Sequence, residues 1–169
     1  QESSHNLARF QPSGPLSGTK RSLTDGGIRV PAIAWWPGMI AGGRTTDHVA
    51  YHGDWMATVA ELAQAKLPAG LDSISYVPTL RGTGPQPEHE FLYWEFHERG
   101  FSQAALYHGR WKGIRDRRLD APLQVFDLQT DIGEKQDVSA AHPEITAKLN
   151  DYLRTARSEN PDWPVKIDR

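Results

Sequence analysis

From Phe91 onward the chain alternates short apolar, β-branched and aromatic runs with tight turns. This rhythm restricts the fold more than any other feature. Phe91–Phe96 is one run, Ser102–Tyr107 a second, Trp111–Arg115 a third and Leu123–Leu128 a fourth. His108-Gly109 makes the tight turn between the second and third. Connections this short join antiparallel neighbours, since parallel strands need a crossover of a dozen or more residues. The runs therefore predict an antiparallel meander. A helix is predicted next, over 142–157. Pro143 suits its first turn and Glu144 places negative charge there. Ile145, Leu149, Tyr152, Leu153 and Ala156 form one stripe that should lie on the meander. The tail from Pro161 is expected to be pinned by Trp163.

The first half carries weaker patterns. Residues 1–27 read as loop, with Gln11-Pro12-Ser13-Gly14-Pro15, Ser17-Gly18 and Asp25-Gly26-Gly27 as turn chemistry. Ile28–Trp36 is predicted to be a strand, interrupted or at an edge near Pro31. His48–Lys66 is predicted to be a helix, capped by Asp47 or Asp54, with Trp55, Val59, Leu62 and the aliphatic stem of Lys66 on one stripe, joined by Met56 and Ala63. Residues 68–90 read as a linker with one helical turn near Ser75–Leu80.

Composition excludes several function classes. Lys and Arg number 19 against 21 Asp and Glu, a formal charge of −2. That balance argues against a nucleic-acid binder working by phosphate neutralisation. No apolar run is long enough to span a membrane. Cysteine is absent, which removes disulfides, thiolate metal sites and a cysteine nucleophile together. The polar start without Met reads as a processed, trimmed or partial chain.

Four constellations carry chemistry. Lys20, with Arg21 beside it, lies in a Gly/Ser-rich loop, and is either a solvated lysine or a point cation for an oxyanion such as sulfate or phosphate. His48 and His52 stand four apart on the predicted helix, but no carboxylate completes a zinc motif between them. Glu95 and His97, followed by Glu98, lie at a strand end. Alternation puts Glu95 and His97 on one side, as solvent-facing polar residues or as a pair for acid–base work or substrate binding. Lys112, Arg115, Arg117 and Arg118 cluster with Asp116 and Asp120, as a salt-bridged surface or a contact for an anionic polysaccharide. The chain has no Gly-x-Ser-x-Gly elbow, no Walker loop and no GxGxxG.

Read in order, Gly18-Thr19-Lys20-Arg21-Ser22-Leu23-Thr24-Asp25-Gly26-Gly27-Ile28-Arg29-Val30-Pro31 and Trp36-Pro37-Gly38 resemble the type I, arylsulfatase-like sulfatases of the alkaline phosphatase superfamily. Asp54–Ala63, Leu71–Ser75, Pro78-Thr79-Leu80 and Tyr93–Glu98 continue the resemblance. So do Gly109–Lys112, Phe126-Asp127-Leu128, Asp131–Glu134 and the helix after His142-Pro143-Glu144.

The resemblance implies the C-terminal part of a sulfatase of α/β class (α+β in this stretch). Residues 1–85 would close the large α/β domain. Residues 86–169 would form a small subdomain, a four-stranded antiparallel sheet packed by a C-terminal helix. It implies hydrolysis of aryl or carbohydrate sulfate esters with a formylglycine and a calcium ion, both outside this chain, so that the chain alone is inactive and holds no metal. Lys20 aligns with the sulfate-binding lysine. Glu95 and His97 would form a substrate-facing wall, and His5 would approach the site. Thr24-Asp25 stands where an aromatic-Glu pair is usual, which leaves open what the shorter acid holds. A periplasmic or secreted location and a sulfated small-molecule or glycan substrate follow from the same resemblance. A chain cut this way is expected to dimerise through exposed sheet edges, rearrange its first block or lose order there. The alternatives are a non-catalytic module for sulfated glycans, or scaffolding, and part of a related phosphoesterase.

Overall fold

The computed structural model describes residues 6–98 and 100–165. Two compact units emerge from its packing. One joins the chain up to Val30 with the chain from Phe91 onward, and the other is Pro31–Glu90. In chain order the elements are α1 (Leu7–Phe10), α2 (Asp25–Ile28), α3 (Asp54–Leu62), α4 (Val77–Arg81), β1 (Phe91–Phe96), β2 (Ser102–Tyr107), β3 (Trp111–Arg115), β4 (Gln124–Asp127) and α5 (Pro143–Thr155). The expected division at residue 85 assigns segments to parts of a longer enzyme, whereas compact packing groups residues 6–30 with the sheet.

The four strands form one sheet in the order β1-β2-β3-β4, antiparallel throughout. Phe91 pairs with Tyr107, Tyr107 with Trp111 and Trp111 with Asp127. Strand alternation then sorts the side chains. One face carries Phe91, Tyr93, Ala105, Tyr107, Trp111 and Val125 against Ile145, Leu149, Tyr152 and Leu153 of α5. Phe91 and Tyr152 stack with centroids 4.1 Å apart. Gly113 admits this approach, because a Cβ there would stand 3.3 Å from both Leu123 and Leu149.

The opposite face carries Trp94, Phe96, Ala104, Ile114 and Phe126, and Leu23 and Ile28 cover it. The loop before α2 thus acts as a second packing layer. An antiparallel sheet wet on one side would alternate buried and exposed residues. Here β2 is buried continuously from Ser102 to Leu106.

Three expectations for the first half are corrected. Ile28–Trp36 is not a strand: Ile28 ends the α2 turn, and residues 29–36 have no regular structure. Residues 31–36 belong to the unit that has no strand among the described residues, while Ile28 packs on the sheet face of the other. Ile33 is consequently 94% exposed and Trp35 83%, and the segment offers no sheet edge for dimerisation. The second helix is shorter than predicted, beginning at Asp54, so His48 and His52 precede it and share no helical face.

The third correction concerns the buried stripe of that helix. Asp54, Ala57 and Thr58 face inward, while Trp55, Met56 and Val59 face outward. Polar bonds decide the orientation. The Asp54 carboxylate accepts from the N–H groups of Tyr51 and Ile74 and lies 2.8 Å from His89 Nε2. Thr58 Oγ1 donates to the Asp54 carbonyl and accepts from the Tyr76 N–H. The short turn predicted near Ser75–Leu80 is present as α4.

Leu149 is fully buried between α5 and the sheet. Leu149→Ala should lower stability by about 2–5 kcal/mol. Urea unfolding of the 169-residue chain checks this: a lower midpoint at unchanged slope is expected, and an unmoved midpoint would contradict the packing described.

Candidate oxyanion-binding site

Lys20 is held by a loop that is folded on itself. Gly26 N–H donates to the Ser17 carbonyl, Ser22 N–H to Thr19 and Gly27 N–H to Thr24. Thr24 Oγ1 donates to the Ser17 carbonyl at 2.7 Å, and Ser13 Oγ reaches the Gly18 and Gly26 carbonyls. Ser17 Oγ donates to the Gly133 carbonyl beyond β4. Such closeness leaves no room for side chains: a Cβ on Gly26 would stand 2.4 Å from the Ser17 and Gly18 carbonyl oxygens. Gly18 has φ +82°, and Arg21 adopts the left-handed region at φ 77°, which costs a non-glycine residue about 1–2 kcal/mol.

Lys20 is exposed at the tip of this loop. It borders a cleft of about 250 Å³ that Arg21, Ser22, Phe96, Glu98, Ser102, Asp116 and Arg117 also line. Arg21 pairs with Glu98 at 3.1 Å and Arg117 with Asp116 at 3.4 Å. A wider cleft of about 430 Å³ shares Arg21, Ser22 and Arg117 and extends past Thr24 to Lys135.

Beneath the loop lies a buried ion cluster. The Lys112 side chain on β3 is 0% exposed. Its Nζ lies 2.5 Å from Asp25 Oδ1 and 2.9 Å from Glu134 Oε1. The Asp25 N–H donates to Glu134 Oε2 at 2.7 Å. Glu134 Oε1 accepts no aligned hydrogen bond and is held by the Lys112 charge. Burial pushes the Glu134 carboxyl above its ordinary range, against the opposing pull of Lys112 and the Asp25 N–H.

Lys112 therefore leaves the expected surface cluster. Arg115 turns to the Ala121 carbonyl and Asn150 Oδ1, and Arg118 pairs with Asp120. A polysaccharide contact that uses Lys112 is corrected by its burial. What Asp25 holds, left open by the sequence, is Lys112. Neither Asp25 nor Glu134 stood among the site candidates. The available signal was a lysine inside an otherwise apolar strand, Trp111-Lys112-Gly113-Ile114.

Glu95 and His97 are brought together, with His97 Nε2 3.1 Å from Glu95 Oε1. Tyr93 Oη donates to Glu95 Oε2 at 2.8 Å, and Arg157 Nε lies 3.1 Å from it. His97 packs edge-on against Phe101 and Trp163, and Arg157 also donates to the Trp163 carbonyl. Neither Glu95 nor His97 lines the clefts beside Lys20, whereas Glu98 does. His5 lies outside the described residues. Among the described residues, no group of three or more His, Asp or Glu is placed to hold a metal ion.

The fold comparison gives the class first. The chain superposes on Ps i-CgsB, solved in complex with k-i-k-neocarrahexaose, with TM-score 0.76 and 26% identity, over 90% of this chain and 34% of that one. A sulfatase from work on glycosaminoglycan metabolism by Bacteroides thetaiotaomicron superposes with TM-score 0.70 and 26% identity, over 85% of this chain and 32% of that one. These define a sulfatase-type α/β architecture. Residues 18–159 match the family described as N-sulphoglucosamine sulphohydrolase, C-terminal, and the chain belongs to that sulfatase family. It is 38% identical to arylsulfatase A of Homo sapiens over 85% of its length and 33% of the relative's. It is 42% identical to arylsulfatase A of Bos taurus over 48% of its length and 16% of the relative's. The chain spans a third or less of the curated relatives it matches here.

The Glu95 cluster yields a pH prediction. Burial alone would raise the Glu95 carboxyl, but His97, Tyr93 and Arg157 together hold it below its ordinary range. A depressed carboxylate contributes stability in full above its unfolded value of about 4.3. That contribution is lost as pH falls through the folded value. Glu95→Gln should therefore be less stable than the parent at neutral pH and show a shallower acid limb. Melts from about pH 3 to 7 check this; parallel curves would remove Glu95 from the acid response.

Proposed function

We propose that this chain is the C-terminal part of a sulfatase that hydrolyses aryl or carbohydrate sulfate esters, with Lys20 as its sulfate-binding cation. One observation carries the reading. The segment folded over the second sheet face through Leu23 and Ile28 also presents Lys20, exposed, beside a cleft of about 250 Å³. A lysine ammonium is a compact point charge, suited to the oxygens of a transferring sulfuryl group. Such a charge acts best when its donor is fixed before reaction, so that little reorganisation accompanies charge development.

The formylglycine nucleophile and the calcium ion would belong to residues outside this chain. Calcium would supply charge neutralisation at the sulfate oxygens. The outward apolar residues Ile33, Trp35, Trp55 and Met56 support such a longer protein, because covering them would bury apolar surface. A periplasmic or secreted location accords with the sulfatase reading, and no helix among the described residues is long and apolar enough to cross a membrane. The 85/86 division into large domain and small subdomain belongs to this proposal. Glu95 and His97 would act as a wall behind the site rather than within either cleft.

The test has two parts. The purified 169-residue chain should not turn over a chromogenic aryl sulfate, and turnover would show that the nucleophile is not missing. In the longer enzyme, Lys20→Ala should lower kcat/KM by about 10²–10³-fold, the scale of losing one oxyanion donor. An unchanged rate would take Lys20 out of the site.

A further inference from the structure

We infer that Asp25 is a positioning residue for Lys20: its buried contacts with Lys112 and Glu134 fasten the lysine-bearing loop to the sheet. The inference rests on the reading of Lys20 as the sulfate-binding cation. Lys112 stands on β3 and Glu134 in the turn after β4, so both belong to the sheet framework. Asp25 opens α2, where the loop ends, five residues beyond Lys20. It engages both partners, its carboxylate taking Lys112 Nζ at 2.5 Å and its N–H donating to Glu134 at 2.7 Å.

Apolar contact alone would leave the loop free to slide. Leu23 and Ile28 cover the sheet through contacts without directional preference. The two Asp25 bonds are directional, and both are buried. Between Asp25 and Lys20 the chain is short and internally bonded, through Thr24 Oγ1 to the Ser17 carbonyl and Ser22 N–H to Thr19. A displacement at Asp25 therefore passes to Lys20 without being absorbed.

Asp25→Asn is the discriminating variant. It removes the Asp25 charge, which also faces Arg29 at 3.7 Å, while leaving Lys112 paired with Glu134 at 2.9 Å, so the framework keeps its own ion pair. In the longer enzyme we expect kcat/KM to fall by about 10–100-fold, since misplacing a reacting group by roughly 1 Å has that scale of effect. The readout that separates positioning from general damage is the double variant Lys20→Ala/Asp25→Asn. If Asp25 acts through Lys20, the double variant matches Lys20→Ala within about twofold, because coupled residues are non-additive. Additive losses, or no loss from Asp25→Asn alone, would overturn the inference while leaving the role of Lys20 intact. An unchanged Lys20→Ala would overturn both.

Should Asp25→Asn not fold, Glu134→Gln decides the same question. It preserves an acceptor for the Asp25 N–H and removes one buried charge. The expected loss is smaller, about two- to fivefold, and should vanish in the Lys20→Ala background. A loss that persists there would count against the inference.

Discussion

The ion cluster of Lys112, Asp25 and Glu134 is the constraint on which the first unit depends. It joins three segments distant in sequence: the start of α2, strand β3 and the turn after β4. Buried ions are expensive, and their mutual attraction offsets the cost of desolvation only when geometry is good. The cluster therefore contributes little net stability relative to an apolar replacement of all three groups. Removing Lys112 is a different matter, costing about 3–5 kcal/mol by leaving two buried carboxylates without their cation. Such an arrangement favours one loop position over neighbouring ones more than it favours folding over unfolding.

Burial of Lys112 also explains why the sheet can be dry on both sides. A lysine among Leu106 and Phe126, its partners across the strands, would ordinarily mark the solvent face of an antiparallel sheet. Here the acid that neutralises it arrives on the covering loop itself, so the loop and its counter-charge come as one piece. Asp25 has a short side chain, yet the contact closes at 2.5 Å.

What was legible in the sequence follows from which interactions have a period. β1, β2 and β3 match the predicted runs to the residue, and α5 lies within one to two residues of its expected ends. Each combines alternation or a helical stripe with turn chemistry at its boundary. The loop of residues 17–28 has no period, because Ser13, Ser17, Ser22 and Thr24 order it through individual side-chain bonds. Its role as a packing layer was accordingly invisible, and Lys112 was assigned to the surface. In the second unit, apolar content misled twice. Residues 31–36 have strand composition without a partner strand, and α3 turns its apolar stripe outward because Asp54 and Thr58 are bonded on the inner side.

These two outcomes bear on how a lysine can serve as an oxyanion donor. A lysine side chain has four flexible bonds, so an ordered backbone beneath it limits how far the ammonium can range. Ordering a backbone residue costs about 1–2 kcal/mol, and a loop already ordered has met that cost before any substrate arrives. The unit that carries Lys20 closes its own core on both faces of the sheet, whereas Pro31–Glu90 leaves Ile33, Trp35 and Trp55 outward. The placement of Lys20 thus depends on packing internal to its own unit.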